Sequence, residues 1–282
     1  MKALPPVWAI IVLLPASLIT TIRAQDSAPA ATPVNKEQIE TALKLTREAA
    51  ERYDITLDDA GPTAATLLPD PILRWSNPAA GEVHGNVFLW TVNNRPTAVA
   101  SIFKWFSPHT HMSHEFHSLA SVPLRAKYSG RETWTTSAPG VTFSPLVGAP
   151  RPAPSAPQRL LQMRQFARSF SATKKERDNN TSELRLLPQP IYRYSSTDAR
   201  VLDGSLFVFV QGTDPEVFVL LEALGPVENE RWSFAAARMN SVALTLRYED
   251  KTVWSVPVMA WSDVSSHREI YTTVRQEQIQ NP

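Results

Sequence analysis

The sequence predicts an α+β fold: a tandem duplication of a unit in which one helix precedes an antiparallel sheet, arranged either as two lobes or as one merged pseudo-twofold body. A two-sheet sandwich with the helices at its edges is the alternative. Three observations lead there. Leu67-Leu68-Pro69-Asp70-Pro71-Ile72-Leu73-Arg74-Trp75-Ser76 returns as Leu186-Leu187-Pro188-Gln189-Pro190-Ile191-Tyr192-Arg193-Tyr194-Ser195, 119 residues later. A helical stripe of apolar residues precedes each copy of that motif. Short apolar segments separated by turn residues then follow, and connections that short force antiparallel pairing. A period this long marks a duplicated domain rather than a solenoid repeat.

In chain order, residues 1–24 read as a signal segment. Lys2 supplies a positive start, Val7 to Ile19 an apolar run broken only by Pro15 and Ser17, and Ile22-Arg23-Ala24 a small-residue end before Gln25. The run is shorter than the roughly 20 residues of a membrane helix. Export with cleavage near Ala24 is expected, an uncleaved anchor being the other reading. Residues 25–34 form a polar linker. There is no cysteine in the chain, hence no disulfide, thiolate nucleophile or cysteine metal site.

The first unit, residues 35–148, opens with a helix that Asn35 can cap, with Ile39, Ala42, Leu43, Thr46, Ala50 and Tyr53 on one face. Strands are expected at about 72–76, 86–92, 97–105, 114–120, 124–128 and 132–136. A stiff proline-rich connector, 149–154, leads to the second unit, 155–275, and a tail, 276–282. That unit repeats the pattern, with a helix from about Ser155 to Ala172 and strands at about 191–195, 205–211, 216–224, 231–239, 242–248 and 252–256. Turn residues match, Asn93-Asn94-Arg95-Pro96 against Gly212-Thr213-Asp214-Pro215. Phe207–Val210 and Val217–Leu221 are apolar almost throughout, as strands covered on both faces are. With one residue of slip, Tyr128 meets Tyr248 and Trp134 meets Trp254. Aromatics that recur in both units are packing residues before they are binding residues.

The set formed by Gly85–Pro96, His114-Glu115-Phe116-His117-Ser118-Leu119, Arg185–Pro190 and Asp203-Gly204 through Gln211-Gly212-Thr213-Asp214-Pro215-Glu216 resembles a group of exported proteins of planctomycete bacteria. The resemblance implies an extracytoplasmic (periplasmic or secreted) bacterial protein and brings no catalytic role with it.

The sharpest chemical feature is His109, His111, His114 and His117 with Glu115 among them. Imidazole is the common neutral metal ligand and proton shuttle. His109 and His111 share a face if extended; His114 and His117 meet on a helical turn or lie on opposite faces of a strand. The zinc-protease spacing of four is not met. Aligned by the repeat, His109 and His111 match Glu228 and Glu230, and His114, Glu115 and His117 match Trp232, Ser233 and Ala235. The four histidines are therefore the candidate metal ligands, weighed against plain surface or structural histidines. Arg164 and Arg168, one helical turn apart in a basic stretch, are candidates for docking an anionic polymer or envelope component, weighed against a solvated helix face. Trp90 and Trp105 are present in the first unit only and are the candidate aromatic binding residues. Arg74 and Arg193 hold matched positions and are expected to pair with a local carboxylate or carbonyl.

Net charge is +1, and without Lys2 and Arg23 there are 26 basic against 27 acidic residues, so no global field attracts nucleic acid. There is no nucleophile elbow, phosphate loop, dinucleotide fingerprint or calcium loop. These readings converge on an exported, non-enzymatic binding or envelope-associated protein of unknown ligand, with no cofactor. The alternative is a metal-dependent or histidine-based hydrolase working through the histidine cluster.

Overall fold

The computed structural model describes residues 36–59, 61–196, 200–225 and 230–278. The signal segment, the linker, the Asn35 cap, Glu228 and residues 279–282 lie outside them. The described residues form one compact unit.

The first half begins with α1 (Lys36–Ala50), then β1 (Tyr53–Asp59), β2 (Gly61–Ala64), β3 (Thr66–Leu67) and β4 (Leu73–Ser76). A long hairpin follows, β5 (Glu82–Val92) and β6 (Arg95–Ser107), then β7 (His111–Ser118), β8 (Leu124–Tyr128), β9 (Arg131–Thr135) and β10 (Ser144–Pro145). The second half has α2 (Ala156–Arg168), β11 (Phe170–Lys175), β12 (Thr181–Leu186), β13 (Tyr192–Ser196) and the hairpin β14 (Val201–Gln211) and β15 (Asp214–Leu224). It closes with β16 (Arg231–Arg238), β17 (Ala243–Tyr248), β18 (Lys251–Val256), the single turn α3 (Trp261–Val264) and β19 (Tyr271–Gln278).

The α+β expectation is overturned. Antiparallel β-structure dominates, in three sheets ordered β2-β1-β8-β9, β19-β7-β6-β5-β3 with β4 on β5, and β10-β16-β15-β14-β12-β11-β17-β18 with β13 on β14. The sequence reading fails where strands do not look apolar. β2 is exposed at every position, and β11 (Phe-Ser-Ala-Thr-Lys-Lys) alternates, so that its Phe170 also completes a helical stripe. Tyr53 likewise begins β1 rather than ending α1. Asp203-Gly204, a dipeptide that favours turns, lies inside β14.

Pairing registers recur between the halves. Phe88 pairs with Ala100 and Phe207 with Val219; Trp75 pairs with Gly85 and Tyr194 with Gly204; both long hairpins carry a bulge before Thr91 and before Val210. A Cβ at Gly85 would collide with the Trp75 indole, and one at Gly204 with the Tyr194 ring. Each glycine thus lets an aromatic ring lie across the strand.

Three apolar cores run through these layers. One joins α1, the outer strands of the first half and one face of its hairpin through Tyr53, Phe88, Trp90, Phe116 and Trp134. Its counterpart joins α2 and the second half through Met163, Phe207, Phe209 and Trp232. The middle core takes Val87, Leu89 and Val99 from one hairpin and Leu206, Val208, Phe218 and Leu220 from the other. The hairpins are thus covered on both faces and pack against each other. The halves also trade edge strands. β10, the last strand of the first half, pairs with β16 (Ser144 opposite Phe234), while β19, the last strand of the second, pairs with β7 (Thr273 opposite Glu115).

Candidate functional site

The strand register corrects the alignment around the histidines. Ala98 pairs with Ser118 and Val217 with Arg238, so His114, Glu115 and His117 correspond to Phe234, Ala235 and Ala237, two residues beyond the sequence alignment. β7 is a strand, so alternate side chains leave on opposite faces. His114 is buried against the Tyr53 hydroxyl (2.9 Å from Nδ1) in the first-half core. His117 is buried on the other face, its Nδ1 2.7 Å from the Ser118 carbonyl, and burial pushes its pKa down to about 4. His109 and His111 lie together at the β6–β7 turn, ring centres 5.5 Å apart. The four-histidine metal site is therefore not assembled: period-two alternation separates His114 from His117, and both from the other pair. Among the described residues no three His, Asp or Glu side chains are grouped to hold a metal ion.

Trp90 is fully buried in the first-half core and presents no binding surface; β5 alternation turns it inward. Trp105 stays half-buried beside His109 and His111. Arg168 is exposed, while Arg164 is half-buried with its Nε enclosed and unbonded, so the two do not form one open basic face.

What the sequence did not reveal is a pair of related clefts, one per half, each reached by the hairpin tip of the other half. In the first, Thr213 accepts from the Ser76 amide (2.9 Å) and donates to the Ser76 carbonyl (2.7 Å). This tightly bound tip leaves about 210 Å³ among Ile39, Arg74, Trp75, His84 and Asn86. In the second, the tip residue is Asn94, whose carbonyl accepts from the Tyr192 hydroxyl (3.0 Å). Ala156 stands where the first cleft has Ile39, and Tyr194 where it has Trp75. The space opens to about 580 Å³, within the range of small-molecule sites.

The larger cleft is charged. Asp203 is buried and receives Arg193 in a two-point fork, Nε to Oδ1 at 2.8 Å and Nη2 to Oδ2 at 2.7 Å. Arg159 adds Nε to Oδ2 at 3.1 Å and gives Nη1 to the carbonyls of Ala153 and Pro154. Arg193 also donates to the Ala156 carbonyl, so it meets both partners expected of it, carboxylate and carbonyl. Two guanidinium groups share one carboxylate, which leaves one surplus positive charge lining the cleft with Tyr192, Ser195 and Asn94. Nη1 of Arg193 and Nη2 of Arg159 carry no hydrogen bond among the described residues.

A second charged cluster lies between the halves. Burial, with Asp214 and Glu216 nearby, pushes the Glu115 carboxyl up to about 8 despite a hydrogen bond from Tyr271. Burial and Glu216 push Asp214 up to about 7, its Oδ2 being 3.4 Å from the Asn77 amide nitrogen. Glu216 is better served, by Lys174 (2.6 Å) and Asn240 (2.8 Å), yet burial still raises its pKa.

No family model, curated protein or solved structure matches the chain. Asp203 and Arg159 were open to detection as differences between the halves, since Asp203 stands opposite His84 at the 119-residue offset. Their convergence with Asn94, from the other half, carried no signal in the sequence.

Proposed function

We propose that the protein is an exported binding protein whose second-half cleft takes a ligand bearing a carboxylate or phosphate group. The carrying observation is that Arg159 and Arg193 share the single carboxylate of Asp203 while lining a cleft of about 580 Å³. Charge-assisted bonds to an incoming oxyanion use guanidinium nitrogens that Asp203 leaves unoccupied. Tyr192, Ser195 and Asn94 offer neutral hydrogen-bonding groups beside them. Export rests on the signal-like first 24 residues and on the resemblance to exported planctomycete proteins. Among the described residues no helix is long and apolar enough to cross a membrane. A hydrolase working through the histidine cluster finds no support, because the imidazoles face different surroundings.

Calorimetric titration of the purified protein with inorganic phosphate, glucuronate and neutral glucose tests this. Saturable binding of at least one anion, weakening as salt rises, is expected, with none for glucose. Leu202 is exposed and lines the cleft, so Leu202→Trp adds bulk there while keeping both arginines and should reduce that affinity at least tenfold. Anion binding equally strong in Leu202→Trp, or no anion binding at all, overturns the reading.

A further inference from the structure

We propose that His109 and His111, seated together on the indole of Trp105, form a two-imidazole site for a divalent transition metal, the cupric ion above all. The site is independent of the anion-binding cleft. Both rings are already placed: His109 lies 5.1 Å and His111 6.2 Å from the Trp105 ring centre, with 5.5 Å between the imidazole centres. Two imidazoles that bind one ion through nitrogen at about 2.0–2.1 Å have ring centres about 4.5–5.5 Å apart for bond angles of about 90–120°. The observed separation stands at the wide end of that range, and an approach of about 1 Å brings the rings to the 90° angle of a tetragonal cupric site.

The loop itself is tied from inside. Lys104 is buried, and its ammonium donates to the carbonyls of Trp105 (2.7 Å) and Thr110 (3.1 Å), on either side of the turn that carries His109. Metal binding therefore does not have to order the segment, which spares it an entropic cost. The same ammonium repels a cation, and only two protein ligands are present. The remaining positions fall to water or small anions, which makes the site exchangeable rather than structural. Imidazole suits copper, nickel and zinc, and copper leads the divalent series in affinity.

Chelator-washed protein titrated with cupric chloride at neutral pH should take up one ion per chain. Its electron paramagnetic resonance spectrum should show coupling to two imidazole nitrogens. His109→Ala and His111→Ala should each weaken uptake at least tenfold, and the double variant should lose it. His267→Ala, which removes the exposed histidine near the C-terminal strand, should change nothing. The targeted rings lie at the surface turn, so the double variant should melt like the parent. In Trp105→Phe, cupric binding persists but its quenching of tryptophan emission falls. Unchanged uptake in the double variant, or fewer than two imidazole nitrogens in the parent spectrum, overturns the site.

Discussion

Arg95 and Asp214 stand 119 residues apart in sequence, at the same place in the two long hairpins, and they meet opposite fates. Arg95 reaches across the interface to Glu222, Nε to Oε1 at 2.8 Å and Nη2 to Oε2 at 3.0 Å, and the Tyr194 hydroxyl adds 2.9 Å to the same Oε1. At that end a cation from one half meets a carboxylate from the other. At the other end Asp214 meets the region of Glu115, and three carboxyls share one cation, Lys174, which bonds to Glu216, while Asn77 and Tyr271 serve Asp214 and Glu115 as neutral donors. One framework supports both, so the packing of the hairpins does not depend on the charges. The charges instead set how the interface responds to mutation and pH.

The largest expected effect breaks the compensated end. Glu222 has a side chain only 1% exposed, so Arg95→Ala strands a buried carboxylate. A loss of about 3 kcal/mol is expected by denaturant unfolding, whereas Glu222→Gln, which leaves without its counter-ion only the more exposed Arg95, should cost less. Equal losses would show that the pair is screened like a surface bridge.

The uncompensated end should reveal itself through pH. Glu115 and Asp214 have folded pKa values raised above the ordinary carboxylate range, so the folded state holds protons that the unfolded chain releases. Their stabilising contribution is complete below the ordinary carboxylate pKa and is lost as pH rises through about 7 and 8. His117, depressed to about 4, acts in the opposite sense: its contribution is present above the ordinary imidazole pKa and is lost as pH falls through about 4. Below the ordinary imidazole pKa the two carboxyls and the imidazole therefore oppose each other; above it the carboxyls act alone, and melting temperature should decline toward alkaline pH. Glu115→Gln should flatten the alkaline decline, gaining on the order of 1 kcal/mol at pH 8 and little at pH 5. A decline that survives both Glu115→Gln and Asp214→Asn would remove the acidic cluster as its cause.

The smallest effect sharpens the contrast between the hairpin tips. Thr213→Val deletes both hydrogen bonds to Ser76 at an exposed site, and about 1 kcal/mol or less is expected. Tyr192→Phe removes the single bond to Asn94 at the other tip and should cost less still, with anion affinity in the larger cleft as a second readout. A greater loss from Tyr192→Phe would reverse the ranking of the tips.

Much of the strand framework was legible because it repeats a local code. Alternation in Leu124–Tyr128, the turn residues Asn93-Asn94 and Gly212-Thr213, and the apolar hairpin Phe207–Val210 each announce a strand or a turn by short-range chemistry. The helices were legible too, but not their ends, since Tyr53 and Phe170 satisfy a helical stripe and a strand equally well. Of the residues singled out for function, Trp90 is inside, the four histidines do not converge, and only Trp105 with His109 and His111 stays together. Identity marked these side chains as able to bind; orientation decided whether anything can reach them.

By itself, then, the sequence determined strand period and turns, which are set by neighbours a few residues apart, and the shared 119-residue spacing. Only the tertiary structure decided which hairpin faces meet, that β10 and β19 cross between halves, and that Asn94 closes a cleft built around Asp203. The physical reason is range. Backbone propensity acts over a few residues, whereas burial, desolvation and charge pairing depend on groups brought together from more than 100 positions away.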